Sequence, residues 1–419
     1  MTRKEHTFRQ HSGLYRNDGS PGRLEGARKV RLLLMIWTGV LLMGLVACAV
    51  ASVSVRDFGA MGDGVADDTA AFEQALLATS ETHEPILVPE GRYRLTRGLT
   101  LEQQTLTGQP QAAWVGDDNA LPVILPEATD GPCVRLKGGS SVTGLYFFYD
   151  WKGKAPEAIP PAIELAGVGC RVSECKFQSA WDAIVADGKS NVGRALVSDC
   201  FIVDAHHIGV RMTGAWDSSW ISRVEVWSPS SPTAFDLGTG FLLGKNDVLL
   251  VSDCFAFKMN RGFLLADEIE GCEIKGGAWG SLANCSADFC AVGVEVRGSH
   301  TVSFAGGTFW THFGGMLVDG PGAQVRVCGL ELSANGAPAL EVRDCELVTV
   351  CGCQLRRLHS DFDQPALRVA GGLGTVVTGC VTQSSSRGIE VAEGLADVIV
   401  ENNLVKEFYS RAEQEEAEE

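Results

Sequence analysis

Eight residues within one stretch of the chain carry most of its chemical potential: Trp181, Asp182, Asp187, Asp204, His206, His207, Arg211 and Asp236. Arg261, Trp310 and His312 extend the row toward the C-terminus. Two chemistries fit these types. In the first, His207 or Arg211 acts as a base on a proton next to a carboxylate, while Arg261 or a bound cation such as Ca2+ neutralises that carboxylate. In the second, Asp182 works with Asp204 or Asp236 as a pair of carboxylates on either side of a bond. Trp181 and Trp310 would stack on a ring-shaped ligand, with His206, Arg261 and His312 hydrogen-bonding beside them. Each residue also reads as a solvated loop or turn position. The further row Glu295, Asp319 and Glu341 reads as an ordinary charged face. No Cys/His cluster has metal-ligand spacing, and no phosphate-binding glycine loop is present.

A short repeat must position these groups. A β-branched or other apolar residue at i is followed by small or apolar residues at i+3 and i+5, in copies beginning at Val142, Val172, Val197, Ile221, Val251, Ile274, Phe304, Val327, Val350, Val377 and Val400. The copies recur every 23 to 30 residues. Strict strand alternation would give i, i+2 and i+4. The extra residue therefore predicts two strands joined by a two-residue corner. A second alternating element follows each copy, beginning at Ala183, Gly209, Gly240, Gly262, Gly293, Gly315, Ala339, Ala366 and Gly388. Three strands per turn predict an all-β, single-stranded parallel β-helix of about eleven or more rungs. Cys175, Cys200, Cys254, Cys353 and Cys380 then share one inward slot as small core residues. Phe147, Phe177, Trp279 and Phe309 share the next, and Cys285 and Cys290 fall in one loop and could pair.

Charge narrows the partners. The chain has a net charge of −17, which argues against nucleic acid. Residues 1–31 are the exception, with eight Lys/Arg against three acids. An uncharged run from Leu32 to Val55 follows, long enough to span a bilayer with the basic flank inside. Residues 32–51 are therefore expected to be a cleaved signal peptide, a lipoprotein signal with Cys48 as the lipidated residue of Leu45-Val46-Ala47-Cys48, or a retained membrane anchor. Each fate exports the remainder as a cell-envelope lipoprotein, a membrane-anchored protein or a secreted one. Residues 52–110 read as an N-terminal cap with first rungs, 111–408 as the β-helix and 409–419 as an acidic tail.

The entrance carries a family resemblance. Asp57-Phe58-Gly59-Ala60, Gly62-Asp63-Gly64, Asp67-Asp68-Thr69 and Val88-Pro89-Glu90-Gly91 with Tyr93 resemble the opening of the pectate lyase superfamily domain of rhamnogalacturonase-, polygalacturonase- and epimerase-like proteins. Between them, Phe72, Ala75, Leu76 and Thr79 share one face of a short helix, with Asp67 and Asp68 as N-cap candidates, that would cover the first coil. The resemblance implies a right-handed β-helix that binds or cleaves polysaccharide along the strand beginning Gly-Ile. The loops about 227–239 and 280–292 are the long ones expected to wall that groove. Polygalacturonase signatures are missing: Asp182 alone matches, and neither Gly-His-Gly nor Arg-Ile-Lys occurs. The expectation is an exported lyase or glycoside hydrolase acting on a uronic-acid-containing, pectin-like polysaccharide. The alternative is a non-catalytic glycan-binding, adhesin or envelope protein; a phage spike fits an export segment less well.

Overall fold

The computed structural model describes residues 52–110, 122–357, 364–384 and 388–407. The basic region, the apolar run with Cys48 and the acidic tail lie outside them. Val53–Glu419 form one compact unit, the second of two in the chain. No helix among the described residues is long and apolar enough to cross a membrane.

The second unit is a right-handed parallel β-helix with three strands per turn. One inward column on the first face, face A, fixes the register. It runs Val53, Ile86, Leu106, Val142, Val172, Val197, Ile221, Val251, Leu282, Phe304, Val327, Val350, Val377 and Val400, each paired in parallel with the next. The two-residue corner follows, and its second residue takes a left-handed backbone. Glu174, Asp199, Arg223, Asp253, Asn284 and Asn402 all have φ between +52° and +56°, with glycine at the equivalent Gly144, Gly306, Gly329, Gly352 and Gly379. This kink returns the side chain at i+3 to the interior and starts the second face, face B.

The register corrects one copy of the repeat. Leu282, not Ile274, stacks under Val251. Asp267–Gly277 is an insertion that turns back along the coil, where the backbone N–H groups of Glu273 and Ile274 both donate to the Gly188 carbonyl at 2.9 Å. It happens to carry its own Ile-x-x-Gly-x-Trp spacing, which local pattern cannot distinguish from a rung. Three expectations fall with it. Trp279 is 52% exposed and not an inward aromatic. Residues 280–292 are no loop, because the strands Ala278–Ala283 and Ser286–Arg297 occupy them. Cys285 and Cys290 are separate buried free thiols, Cys285 joining the inward ladder beside Cys254 and Cys290 donating to the Ala256 carbonyl at 3.7 Å.

Packing inside the coil follows the columns. Cys175, Cys200 and Cys254 are buried and donate to carbonyls two residues back, each at 3.2 Å. Phe147 stacks on Phe177 at 5.1 Å and Phe241 on Phe263 at 4.7 Å. The third face, face C, follows the expected Gly-Ile elements, with Ile184, Val210, Phe241, Phe263, Val294, Met316, Leu340, Leu367 and Ile389 in register. The small residue at its start is a packing requirement. A Cβ on Gly240 or Gly262 would lie 2.7 Å from the carbonyl oxygen of the next turn.

The capping helix is Thr69–Ala78, and its buried face includes Phe72, Ala75 and Leu76. Neither expected aspartate caps its backbone conventionally. The Asp68 carboxylate instead accepts from Met61 N–H at 2.6 Å, closing the glycine-rich turn. Asp67 accepts from Thr69 and Thr96 hydroxyls, which hold it down at about 2. Buried Gln104 clamps the helix end by donating to Leu76 O at 2.6 Å and Thr79 Oγ at 2.9 Å.

Candidate functional site

Connections from face B to face C differ most in length, and the candidate residues collect along this edge. The strand Asp182–Ala186 pairs with Ile208–Met212 on the next turn, and Asp182 is in register with Ile208. That register puts His207, one residue earlier, against the Asp182 carboxylate. His207 Nδ1 lies 2.8 Å from Asp182 Oδ1, which also accepts Ile208 N–H at 3.0 Å. The backbone thus fixes the carboxylate, and the carboxylate fixes the imidazole. His207 is more exposed than Asp182, 38% against 16% by side chain. Its Nε2 makes no hydrogen bond among the described residues, and Trp181 lies 5.7 Å away ring to ring. An Asp-oriented histidine with one open nitrogen is a ready proton acceptor.

Of the other expected catalytic residues, Asp204 and Arg211 have structural partners. Asp204 sits at a left-handed corner (φ +51°) and accepts Ser230 N–H at 2.8 Å. Burial pushes its carboxyl up, partly opposed by the Ser230 and Ser231 amides and Lys258. Arg211 donates through Nε and Nη2 to the Ala186 carbonyl at 3.1 and 2.9 Å. It lies three residues beyond Ile208, about 10 Å along the strand from the His207 end, so it is not the base there. Asp187 accepts Lys189 and Ser190 N–H, holding a turn. Asp236 lies on the short helix Ala234–Leu237, where its N–H donates to the Thr233 carbonyl at 3.1 Å, and its side chain has no hydrogen bond or ion pair among the described residues. Of the carboxylate pairs expected around Asp182, the one with Asp204 is taken up by structure, since Asp182 serves His207 and Asp204 serves the loop.

His206 differs sharply from its neighbour. It is only 4% exposed, its Nδ1 lies 2.8 Å from Ser231 Oγ, and its carbonyl accepts the Thr233 hydroxyl at 2.7 Å. Trp151 packs edge-on at 5.7 Å. Burial pushes the imidazole down to about 4, so it is neutral, and its Nε2 is buried without a partner among the described residues. His206 therefore pins the long loop following Trp227, which was expected as a groove wall, and does not face ligand as anticipated.

Arg261 is likewise occupied. It pairs with Glu295 and donates to Asn260 Oδ1 at 2.5 Å, while Arg297 pairs with the other Glu295 oxygen. Glu295 is buried, contrary to the exposed face expected for it. Burial opposes its charge, but the Arg297 and Arg261 bonds outweigh that and hold it below the usual carboxylate range. Glu341 is bridged by Arg343 and Arg368, and Asp319 lies 3.9 Å from Arg343.

Trp310 and His312 do meet. With Asp288, Phe289, Thr311 and Asn335 they line a hollow of about 100 Å³. Phe235 and Phe289 pack edge-on to His312 at 5.5 and 5.2 Å. Trp227, Phe257, Asp288 and Trp310 form one outward column on successive turns. This shelf was missed in the sequence, although its signal, an aromatic at i+6 of the copies at Ile221, Val251 and Phe304, is present there. No group of three or more metal-ligating side chains occurs among the described residues.

Residues 52–122 match the family described as rhamnogalacturonase A/epimerase, pectate lyase-like. The preneck appendage protein of Bacillus phage PZA is 47% identical over 57 residues, 13% of this chain and 6% of that protein, so the chain spans a small part of its relative. Solved structures share the fold. The catalytic unit of a GH87 α-1,3-glucanase from Streptomyces thermodiastaticus superposes with TM-score 0.59 at 15% identity, covering 86% of this chain and 69% of that one. The tailspike of E. coli bacteriophage HK620, solved with a pentasaccharide, gives 0.59 at 11% identity over 83% and 78%. The A-module of Azotobacter vinelandii mannuronan C-5 epimerase AlgE6 gives 0.51 at 12% identity over 85% and 100%.

Proposed function

We propose that this right-handed β-helix, whose residues 52–122 match a pectate lyase-like family, acts on a uronic-acid polysaccharide lying along the edge between faces B and C, with His207 as the base. The observation that carries this reading is the 2.8 Å contact between His207 Nδ1 and Asp182, which leaves Nε2 open. Nε2 takes the proton from the carbon bearing the uronate carboxyl, the C–H electron pair forms a double bond to the adjacent carbon, and that carbon's bond to the glycosidic oxygen breaks; the departing alcohol takes a proton from the imidazolium or from water. Asp182 keeps the tautomer and stabilises the imidazolium formed. Trp181 and the Trp310 shelf offer faces for sugar rings. The polysaccharides and oligosaccharides named for the glucanase, epimerase and tailspike agree with a glycan partner. Arg261, tied to Glu295, does not neutralise the uronate, so that charge falls to another cation. A second reading, glycan binding without catalysis, draws on the exposed Trp310 and Phe289. Export through residues 32–51, with Cys48 as a lipid acceptor, belongs to the same proposal.

Purified protein would be incubated with pectic, alginate and other uronic-acid polymers, with and without calcium, following unsaturated-uronate absorbance and reducing ends. Absorbance with reducing ends, lost in His207→Ala, supports the lyase. Reducing ends alone would replace it with a hydrolase. Silence from folded protein, with glycan still bound, would leave the binding reading.

A further inference from the structure

A second cavity lies beside the His207 site and plays no part in the chemistry above. It is a cleft of about 500 Å³ on the outer side of face B. Its floor spans three successive turns, through the strands Arg92–Leu95, Val123–Pro126 and Tyr146–Phe148. The connection after Phe148 forms its wall and carries Trp151, Lys152 and Lys154. Asp150 folds this connection by accepting Lys152 N–H at 2.8 Å, and Lys154 N–H donates to the Trp151 carbonyl at 2.9 Å.

The charges in this cleft are unusual for the molecule. Elsewhere cations are mostly matched, as Arg97 is with Glu73, Arg223 with Asp199 and Arg261 with Glu295. Within the cleft Arg94 is matched too, 2.9 Å from Glu127. Arg92, Lys152 and Lys154 are not: among the described residues none of the three side chains has an ion pair or hydrogen bond, yet all line one cavity. Of the acids there, Glu127 is paired, Asp150 holds the turn, and only Glu157 is unengaged. A chain with net charge −17 repels polyanions at long range, so a local group of uncommitted cations such as this is what the chain itself offers to hold an anionic sugar.

The wall joins the cleft to the reaction site. Trp151 Nε1 donates to the Ser179 carbonyl at 2.9 Å and its ring packs on His206, the residue before His207. Asp182 and His207 follow the next two turns, each about 4.8 Å further along the axis. We infer that the cleft is a subsite for a carboxylate-bearing sugar residue of the polymer that reacts at His207. Arg92, Lys152 and Lys154 supply charge-assisted hydrogen bonds to the carboxylate, and Trp151 closes one side of the ring. This rests on the proposed function for the polymer's class, but the cleft is tested by binding and not by turnover.

Full-length protein is titrated with a galacturonate tetramer, its fully methyl-esterified form and a sulfated neutral tetramer, by calorimetry and tryptophan fluorescence. The galacturonate tetramer is expected to bind about tenfold more tightly than the ester. The combined variant Arg92→Ala, Lys152→Ala, Lys154→Ala loses that preference while still binding the ester. Should it misfold, Lys152→Glu with Lys154→Glu, confined to the loop, is expected to do the same. His207→Ala keeps the preference, so a catalytically silent protein that still prefers the uronate overturns the base assignment and leaves the subsite standing. Equal binding of uronate and ester, undiminished preference in folded variants, or no binding of any tetramer overturns the subsite. Tighter binding of the sulfated tetramer overturns the carboxylate assignment.

Discussion

His206 makes the fold acid-sensitive in a window that can be calculated. Its imidazole is pushed down to about 4 by burial, whereas in the unfolded chain it titrates near 6.5. Between those values the unfolded state binds a proton that the folded state refuses. Stability therefore falls as pH drops through 6.5, with a limiting slope of about 1.4 kcal/mol per pH unit, and the loss saturates below about 4. The full shift corresponds to about 3 kcal/mol as an upper value. Protonation would also put a charge beside Ser231 and Trp151, where no carboxylate pairs with it among the described residues. The assay is urea unfolding of the wild type and His206→Gln between pH 7.5 and 4.5. Gln retains a hydrogen-bonding group for Ser231 but does not titrate. Half-buried Asp204, Glu164 and Glu225, whose carboxyls are pushed up, act in the opposite sense, and buried His300 acts in the same sense as His206. All four are common to both proteins, so the stability difference isolates His206. It should shrink or reverse against the wild type by up to about 2.5 kcal/mol between pH 7.5 and 4.5. A difference that stays flat with pH would refute the reasoning.

The remaining expectations concern the dyad, the buried carboxylate and the thiols. Asp182→Asn should lower product formation by about 100-fold or more, through loss of the tautomer and of imidazolium stabilisation, with the melting temperature little changed. Wild-type rates in that variant would remove Asp182 from the mechanism. Glu295→Ala leaves Arg261 and Arg297 without their shared partner and should cost about 3 kcal/mol or more in urea unfolding; a loss below about 1 kcal/mol would place the pair among ordinary surface bridges. Cys328 and Cys351 are in register on neighbouring turns, only partly buried, with sulfurs 2.9 Å apart. Mild disulfide oxidants should link them, giving a two-hydrogen mass loss in peptide maps, while the buried Cys175 and Cys200 stay reduced. Linkage appearing first in the buried ladder would contradict the assigned faces.

The sequence by itself determined the coil and its entrance. Inward positions must be apolar on every turn, and corner residues must suit a left-handed backbone, so the constraint is written locally and repeated. Even the cysteine ladder was legible as core packing, because the same slot recurs. The sequence also placed Asp182 and His207 on consecutive turns, since 25 residues is one circuit. Tertiary structure decided what those side chains do. Insertion length set the register, so Ile274 imitated a rung that Leu282 occupies. A one-residue difference along the chain made His207 an exposed partner of Asp182 and His206 a buried anchor for the long loop. Arg211 and Arg261 were equally visible as free cations, yet a carbonyl and a buried glutamate from neighbouring turns claim them. The cleft shows the converse. Arg92 lies 60 residues before Lys152, and only the stacking of turns brings them to one cavity, where neither has an ion pair among the described residues. Pattern specifies which residues face inward because that depends on neighbours in the chain. Pairing depends on neighbours one turn away, and these follow from the length of every loop between them.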